Sequence, residues 1–155
     1  VQGDEPFLDP RVIDQVVGRI SEGDTPMATA ARRIDEPERI WDPSVVKVVM
    51  DRRGYALYFS RSPVPFLRDL PKEAWGKGGE FLEHIGLYAY TREFLLTLSR
   101  LAPTPLELAE KLEQLRALEH GYRIAVVETD YESFGVDTSE DLEEARRRVN
   151  IRGAM

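Results

Sequence analysis

Apolar residues recur along the chain with two periods, and their order predicts a mixed α/β protein. Val12, Ile13, Val16, Val17 and Ile20 stand at helical spacing behind Asp9-Pro10, which predicts a helix over 10–22 with the proline in its first turn. Gly23-Asp24-Thr25-Pro26 ends it, and 27–34 reads as a strand. A short helical turn over 37–40 is broken by Asp42-Pro43-Ser44. Residues 45–50 alternate too little for an exposed strand and read as a buried one. Asp51-Arg52-Arg53-Gly54 then turns the chain into a returning strand over 55–60, making a hairpin. Pro63 and Pro65 force an extended segment, and the polar, glycine-containing stretch 69–80 is expected to be a surface excursion.

The second half of 81–90 is predicted to be a strand, and 91–101 a helix stopped by Pro103 and Pro105. Leu108, Leu112, Leu115 and Leu118 follow a three-to-four spacing, so 106–119 reads as one amphipathic helix, capped by Gly121. A strand over 124–127 follows, then a helix over 138–148 with Thr138 at its N-cap and Asp141 three residues on. There is no repeat and no sign of an internal boundary, so 1–155 is read as one domain.

Bulk properties narrow the function classes. The 155 residues are 42% hydrophobic and 32% charged, the balance of an ordinary globular chain. The formal net charge of −7 disfavours non-specific association with nucleic acid or an anionic membrane. It leaves nucleotide binding open, because a divalent cation outweighs the background field locally. No cysteine is present, which removes thiolate metal sites and cysteine nucleophiles and fits a cytoplasmic setting. No apolar run is long enough to span a bilayer.

Two acidic residues hold the sharpest candidate chemistry. Asp4, in Val1-Gln2-Gly3-Asp4-Glu5-Pro6, and Asp137, in Gly135-Val136-Asp137-Thr138, each stand in a turn after a short stretch of strand character. Carboxylates so placed can meet on one hard cation such as Mg²⁺, although aspartates also cap turns and helices at such points. Arg61, leaving a strand before a proline-bounded loop, could grip a carboxylate or phosphate, or lie on the surface. His84 shares one strand face with Gly86, Tyr88 and Tyr90 under simple alternation, as a catalytic or as a structural histidine. Glu113-Gln114 sits among the leucines of the predicted 106–119 helix, with Gln114 between core positions and able to face a cleft.

Taken together these segments resemble the 3-deoxy-manno-octulosonate cytidylyltransferases, or CMP-Kdo synthetases. The resemblance is carried in family order by Val1-Gln2-Gly3-Asp4-Glu5-Pro6, Val46-Lys47-Val48-Val49, Gly54-Tyr55-Ala56-Leu57-Tyr58-Phe59-Ser60-Arg61 and His84-Ile85-Gly86-Leu87-Tyr88. It continues through Pro105-Leu106-Glu107, Leu112-Glu113-Gln114-Leu115-Arg116 and Gly135-Val136-Asp137-Thr138. It implies a mixed, mostly parallel sheet of the nucleotide-diphospho-sugar transferase type. It also implies an enzyme that couples CTP to the acidic sugar Kdo, giving CMP-Kdo and pyrophosphate for lipopolysaccharide biosynthesis. Asp4 and Asp137 would then be Mg²⁺ ligands. Arg61 would hold the sugar carboxylate, His84, Tyr88, Glu113 and Gln114 would bind sugar hydroxyls, and Gln2 would line the site. A homodimer is implied, with 47–90 supplying much of the contact.

Family members also carry an N-terminal portion that grips the CTP phosphates and reads cytosine, and that portion is expected to be missing here, leaving this chain inactive alone. The competing expectations are a cytidylyltransferase for another acidic sugar, such as a sialic acid or an amino-Kdo, and a non-catalytic dimerising module.

Overall fold

The computed structural model describes residues 8–78, 81–131, 136, 142–143 and 145–147. Helix α1 (Pro10–Ser21) starts as its sequence predicts: Asp9 is the N-cap, its carboxylate accepts the Arg11 N–H, and proline occupies the first turn. Strand β1 (Met27–Arg33) follows, then the short helix α2 (Pro37–Trp41), β2 (Lys47–Met50) and β3 (Ala56–Ser60). The second half of the described chain adds β4 (Leu82–Tyr90), α3 (Arg92–Leu98), α4 (Pro105–Glu110), α5 (Gln114–Glu119) and β5 (Ile124–Glu128). Residues 142–143 and 145–147 are helical, inside the span predicted for the last helix. The remainder of that span, with the Thr138 cap and Asp141, lies outside the described residues.

The five strands form one mixed sheet in the order β3-β2-β4-β1-β5. The α/β class and mixed sheet are as expected. Only the β1–β5 pair is parallel among the described residues, however, and the other three pairings are antiparallel. Hairpin β2–β3 accounts for one antiparallel pairing, and β4 lies between β2 and β1 to make the others. The sheet also curls. Gly54, at φ +78° in the hairpin turn, accepts the Val126 N–H at 2.7 Å, and Tyr55 bridges Ala125, so the tip of the hairpin reaches β5.

Strand β1 is buried on both faces, and its alanines allow close approach from either side. Ala28 and Ala30 pack with Val12 and Val16 of α1, while Met27 and Ala31 pack with Phe94, Leu112, Leu115 and Phe59. A third cluster at one end joins Ile34, Ile40, Val45, Trp75 and Phe81.

Three departures from the sequence reading matter. The 69–80 stretch is not a loose surface excursion: Trp75 is 1% exposed, stacks on Trp41 and Phe81, and donates its indole N–H to the Leu70 carbonyl at 3.1 Å. Gly76 continues the turn at φ +86°, a conformation that favours glycine, and a Cβ there would also press on the Ile40 Cδ1 at 2.8 Å. Secondly, β4 is a strand throughout rather than in its second half. Glu83, which weakens the strand signal, is neutralised by Arg32 at 2.8 Å and Arg39 at 2.6 Å, brought from β1 and α2.

Thirdly, the predicted helix over 106–119 is two helices. Lys111 takes a left-handed conformation (φ 56°, ψ 47°) between α4 and α5 and leaves Leu108 54% exposed, while Leu112 and Leu115 remain in the core. The break carries no glycine or proline and is compensated by distant contacts. Glu107 on α4 pairs with Arg116 on α5, its Oε2 2.8 Å from Arg116 Nε. Glu110 meanwhile accepts the Ser60 hydroxyl at 2.7 Å and the Arg61 N–H at 2.9 Å.

Candidate functional site

An irregularity in β4 opens the site. Thr29 pairs with Tyr88 but the next residue, Ala30, pairs with Ile85, so Gly86 and Leu87 are spare in β4 and the ladder bulges. Bulges re-aim side chains beside functional sites, and a strand glycine commonly marks one. Beside the bulge lies a cleft of about 250 Å³ lined by Met27, Gly86, Tyr88, Tyr90, Leu98, Glu113 and Gln114. The break at Lys111 sets Glu113 and Gln114 at the start of α5, where Gln114 is 5% exposed and Glu113 is exposed. Tyr88, Glu113 and Gln114, singled out from sequence, therefore meet at one cavity from segments more than twenty residues apart.

His84 stands next to them. Its ring lies 5.2 Å from that of Tyr88 and meets Phe59 edge-on at 5.1 Å, and its Nε2 is 2.9 Å from the Thr29 hydroxyl. Thr29 is fully buried, with Oγ1 also 2.7 Å from the Leu87 carbonyl. Burial draws the His84 imidazole from 6.5 down to about 3, so it is neutral at physiological pH. The tyrosines are pushed the other way. Burial raises the Tyr90 phenol to about 12, helped by Glu113, and raises Tyr88 further, helped by Tyr90 and Glu113. The cleft thus offers neutral donors and acceptors together with the Glu113 carboxylate, a set suited to a polyhydroxylated molecule.

A stability effect follows from His84. Its folded pKa is below its unfolded one, so as pH falls the unfolded chain takes up the proton first, and stability is lost from about pH 6.5 downward. The loss approaches about 1.4 kcal/mol per pH unit, so the protein should be about 2 kcal/mol less stable at pH 5 than at pH 7. Denaturant titrations at the two pH values check this, and His84→Gln should flatten the difference. Asp24 does not confuse the window: the Arg19 and Tyr55 hydrogen bonds hold its carboxyl at about 2, so its contribution is lost only below its ordinary 3.8.

Arg61 is placed elsewhere. It leaves β3 beside the end of α4, donates from Nε to the Glu110 carbonyl at 2.8 Å and from Nη1 to the Pro43 carbonyl at 2.8 Å, and does not line the cleft. Those two contacts tie the side chain to the end of α4 and to the segment before β2. Its own carbonyl accepts from the buried Lys47 Nζ at 2.6 Å, which also donates to the Asp42 and Val45 carbonyls. Gln2, Asp4 and Asp137 lie outside the described residues. Among the described residues, no three His, Asp or Glu side chains converge as a metal-holding group. Sequence reasoning passed over Thr29 and Glu110. The only local hint was a polar residue at an otherwise alanine-rich strand position and an acid one turn before Gln114.

Comparison with known proteins gives a consistent answer. The family model described as Cytidylyltransferase matches residues 1–124. The 3-deoxy-manno-octulosonate cytidylyltransferase of Solibacter usitatus (strain Ellin6076) is 54% identical over 148 residues, covering 95% of this chain and 57% of the relative. That of Geotalea daltonii (strain DSM 22248 / JCM 15807 / FRC-32) is 52% identical, covering 99% and 63%. A solved structure of CMP:2-keto-3-deoxy-manno-octonic acid synthetase complexed with CTP superposes with a TM-score of 0.86 at 37% identity, covering 98% of this chain and 61% of that one. The chain thus spans about three-fifths of the length of the proteins it matches. With the family model matching residues 1–124 and the fold and much of the sequence shared with these relatives, the chain belongs to the cytidylyltransferase family.

Proposed function

We propose that this chain forms the sugar-acid side of an enzyme that couples CTP to Kdo, releasing pyrophosphate. The observation that carries the reading is the convergence of Tyr88, Glu113 and Gln114 on one cleft beside a neutral His84. An acidic sugar needs several hydrogen-bonding groups for its hydroxyls and one cation for its carboxylate. The cleft supplies the first; for the second the family resemblance assigns Arg61, which is held by Glu110 and Pro43 outside the cleft lining and would have to meet the carboxylate at the edge of the bound sugar. The relatives of about 50% identity bear the name of this activity, and the solved neighbour holds CTP.

In this mechanism the anomeric hydroxyl of the sugar attacks the α-phosphorus of CTP in line. An O–P bond forms as the bond to pyrophosphate breaks, and the hydroxyl proton is released to water. Gln114 and the Tyr88 phenol orient the sugar by hydrogen bonds, His84 and Glu113 complete the set, and Gln2 lines the site. Fixing the nucleophile in one pose removes much of the entropic barrier to a reaction between two bound substrates. Asp4 and Asp137 offer the hard carboxylate oxygens that suit Mg²⁺, which when bound would neutralise phosphate charge. The reading includes lipopolysaccharide biosynthesis, a cytoplasmic location and a homodimer. Dimerisation is supported by the exposure of Leu57, Phe66 and Leu70 along 47–90, at 62%, 72% and 45%. No described helix is long and apolar enough to cross a membrane.

The test is pyrophosphate release by the intact enzyme. Gln114→Ala should raise KM for Kdo about tenfold, the worth of one buried hydrogen bond, with KM for CTP little changed. An unchanged Kdo KM in that variant, or equal turnover of a sialic acid, would refute the assignment.

A further inference from the structure

We propose that Thr29 is a positioning residue: its buried hydroxyl holds His84 as the Nε2–H tautomer and so leaves Nδ1 as an acceptor for a hydroxyl of the bound sugar. Thr29 Oγ1 has one hydrogen and three neighbours, the Leu87 carbonyl at 2.7 Å, the Ile85 carbonyl at 3.3 Å and His84 Nε2 at 2.9 Å. Carbonyl oxygens cannot donate, so the hydroxyl hydrogen goes to a carbonyl, Leu87 being the nearer, and Oγ1 presents a lone pair to His84. The imidazole must then donate from Nε2. Because its desolvated ring is neutral, it carries no second proton, and Nδ1 keeps its lone pair.

The geometry is enforced from three sides. Thr29 is 0% exposed, so no bulk water competes for its hydroxyl. Phe59 meets the imidazole edge-on and Tyr88 lies against it, which resists rotation of the ring. The bulge is what brings the Leu87 carbonyl to Thr29, because the register shift follows directly after the Thr29–Tyr88 pair. The bulge that opens the cleft at Gly86 therefore also sets the proton on His84. The role of Nδ1 toward sugar rests on the sugar-acid reading above, whereas the tautomer does not.

The experiment is long-range ¹H–¹⁵N correlation of the imidazoles in intact ¹⁵N-histidine-labelled enzyme, with His84 assigned by His84→Gln, alongside steady-state kinetics. The wild type should show His84 as Nε2–H. In Thr29→Val, which keeps the shape and loses the hydroxyl, the tautomer should become mixed and KM for Kdo should rise about fivefold with kcat less affected. Thr29→Ser, which retains the hydroxyl, should recover the single tautomer and most of the affinity. If Thr29→Val does not fold, the wild type and Thr29→Ser spectra decide. An Nδ1–H tautomer in the wild type overturns the inference. So does a tautomer unchanged by loss of the hydroxyl. A changed tautomer with an unmoved Kdo KM overturns the positioning role, and leaves the sugar-acid reading to stand or fall on Gln114→Ala.

Discussion

Replacing Trp75 by alanine is expected to cost the protein about 3–5 kcal/mol, the range for emptying a buried aromatic site. Trp75 is 1% exposed at the centre of a cluster that ties three segments together: Ile34 after β1, Ile40 and Val45 before β2, and Phe81 before β4. Its ring stacks on Trp41 at 5.1 Å and Phe81 at 5.6 Å, and Phe66 meets it edge-on at 5.2 Å. Alanine removes all three contacts and strands the Leu70 carbonyl. Equilibrium denaturation should show the loss, and trypsin should cut first at Arg68, Lys72 or Lys77 around the loosened stretch. Trp75→Phe should recover part of the loss, since it restores apolar volume without the indole donor. A change below about 1 kcal/mol in Trp75→Ala would mean the 69–80 stretch is not anchored as described.

Removing Arg116 should be almost as damaging, and should reach the cleft as well. Glu107 has a side-chain exposure of only 9%, and its Oε2 accepts the N–H of Thr104, the N-cap of α4, at 3.2 Å. Arg116 supplies its countercharge through two parallel hydrogen bonds and, with that of Thr104, these hold the Glu107 carboxyl below its ordinary range while burial opposes them. Arg116→Met leaves a nearly buried carboxylate without its cation, for a loss of about 3 kcal/mol, at the lower end because the Thr104 donor remains. The pair also spans the break at Lys111, so its loss frees α5 to shift and should displace Gln114. The variant is therefore expected to bind Kdo several-fold more weakly in addition to melting earlier. Glu107→Gln combined with Arg116→Met should cost less than Arg116→Met alone, because no orphaned charge is left. If the double variant is the less stable of the two, the pair does not act in this way.

The fold class was legible because its main signals are local. The helical stripe of Val12 and Val16 behind an Asp-Pro cap, the turn through Gly54 and the short apolar run of β5 each declare an element within a few residues, and each is found at or near its predicted place. Tyr88, Glu113 and Gln114 could be nominated from motif order, and they do share a cavity. His84 could be nominated but not given a protonation state, because its neutrality comes from desolvation by residues far away in the chain. Arg61 could be nominated as a cation, but its bracing by Pro43 and Glu110 could not be seen, since those partners stand 18 and 49 residues away.

The division has one physical root. Propensity, period and capping act over a single turn, so the chain states its own helices, strands and turns wherever nothing distant opposes them. Where distant groups intervene, the local signal gives way. Lys111 breaks a leucine-striped helix that neighbouring residues favour, and the fold accepts the break where Glu107 grips Arg116 and Glu110 grips β3. Glu83 stays in a strand because two arginines from other elements neutralise it. The Thr29–Leu87–His84 hydrogen bonds exist only once β1 and β4 have paired with a bulge between them. Charge pairing and burial are properties of the assembled molecule, and they convert a recognisable order of motifs into a cleft.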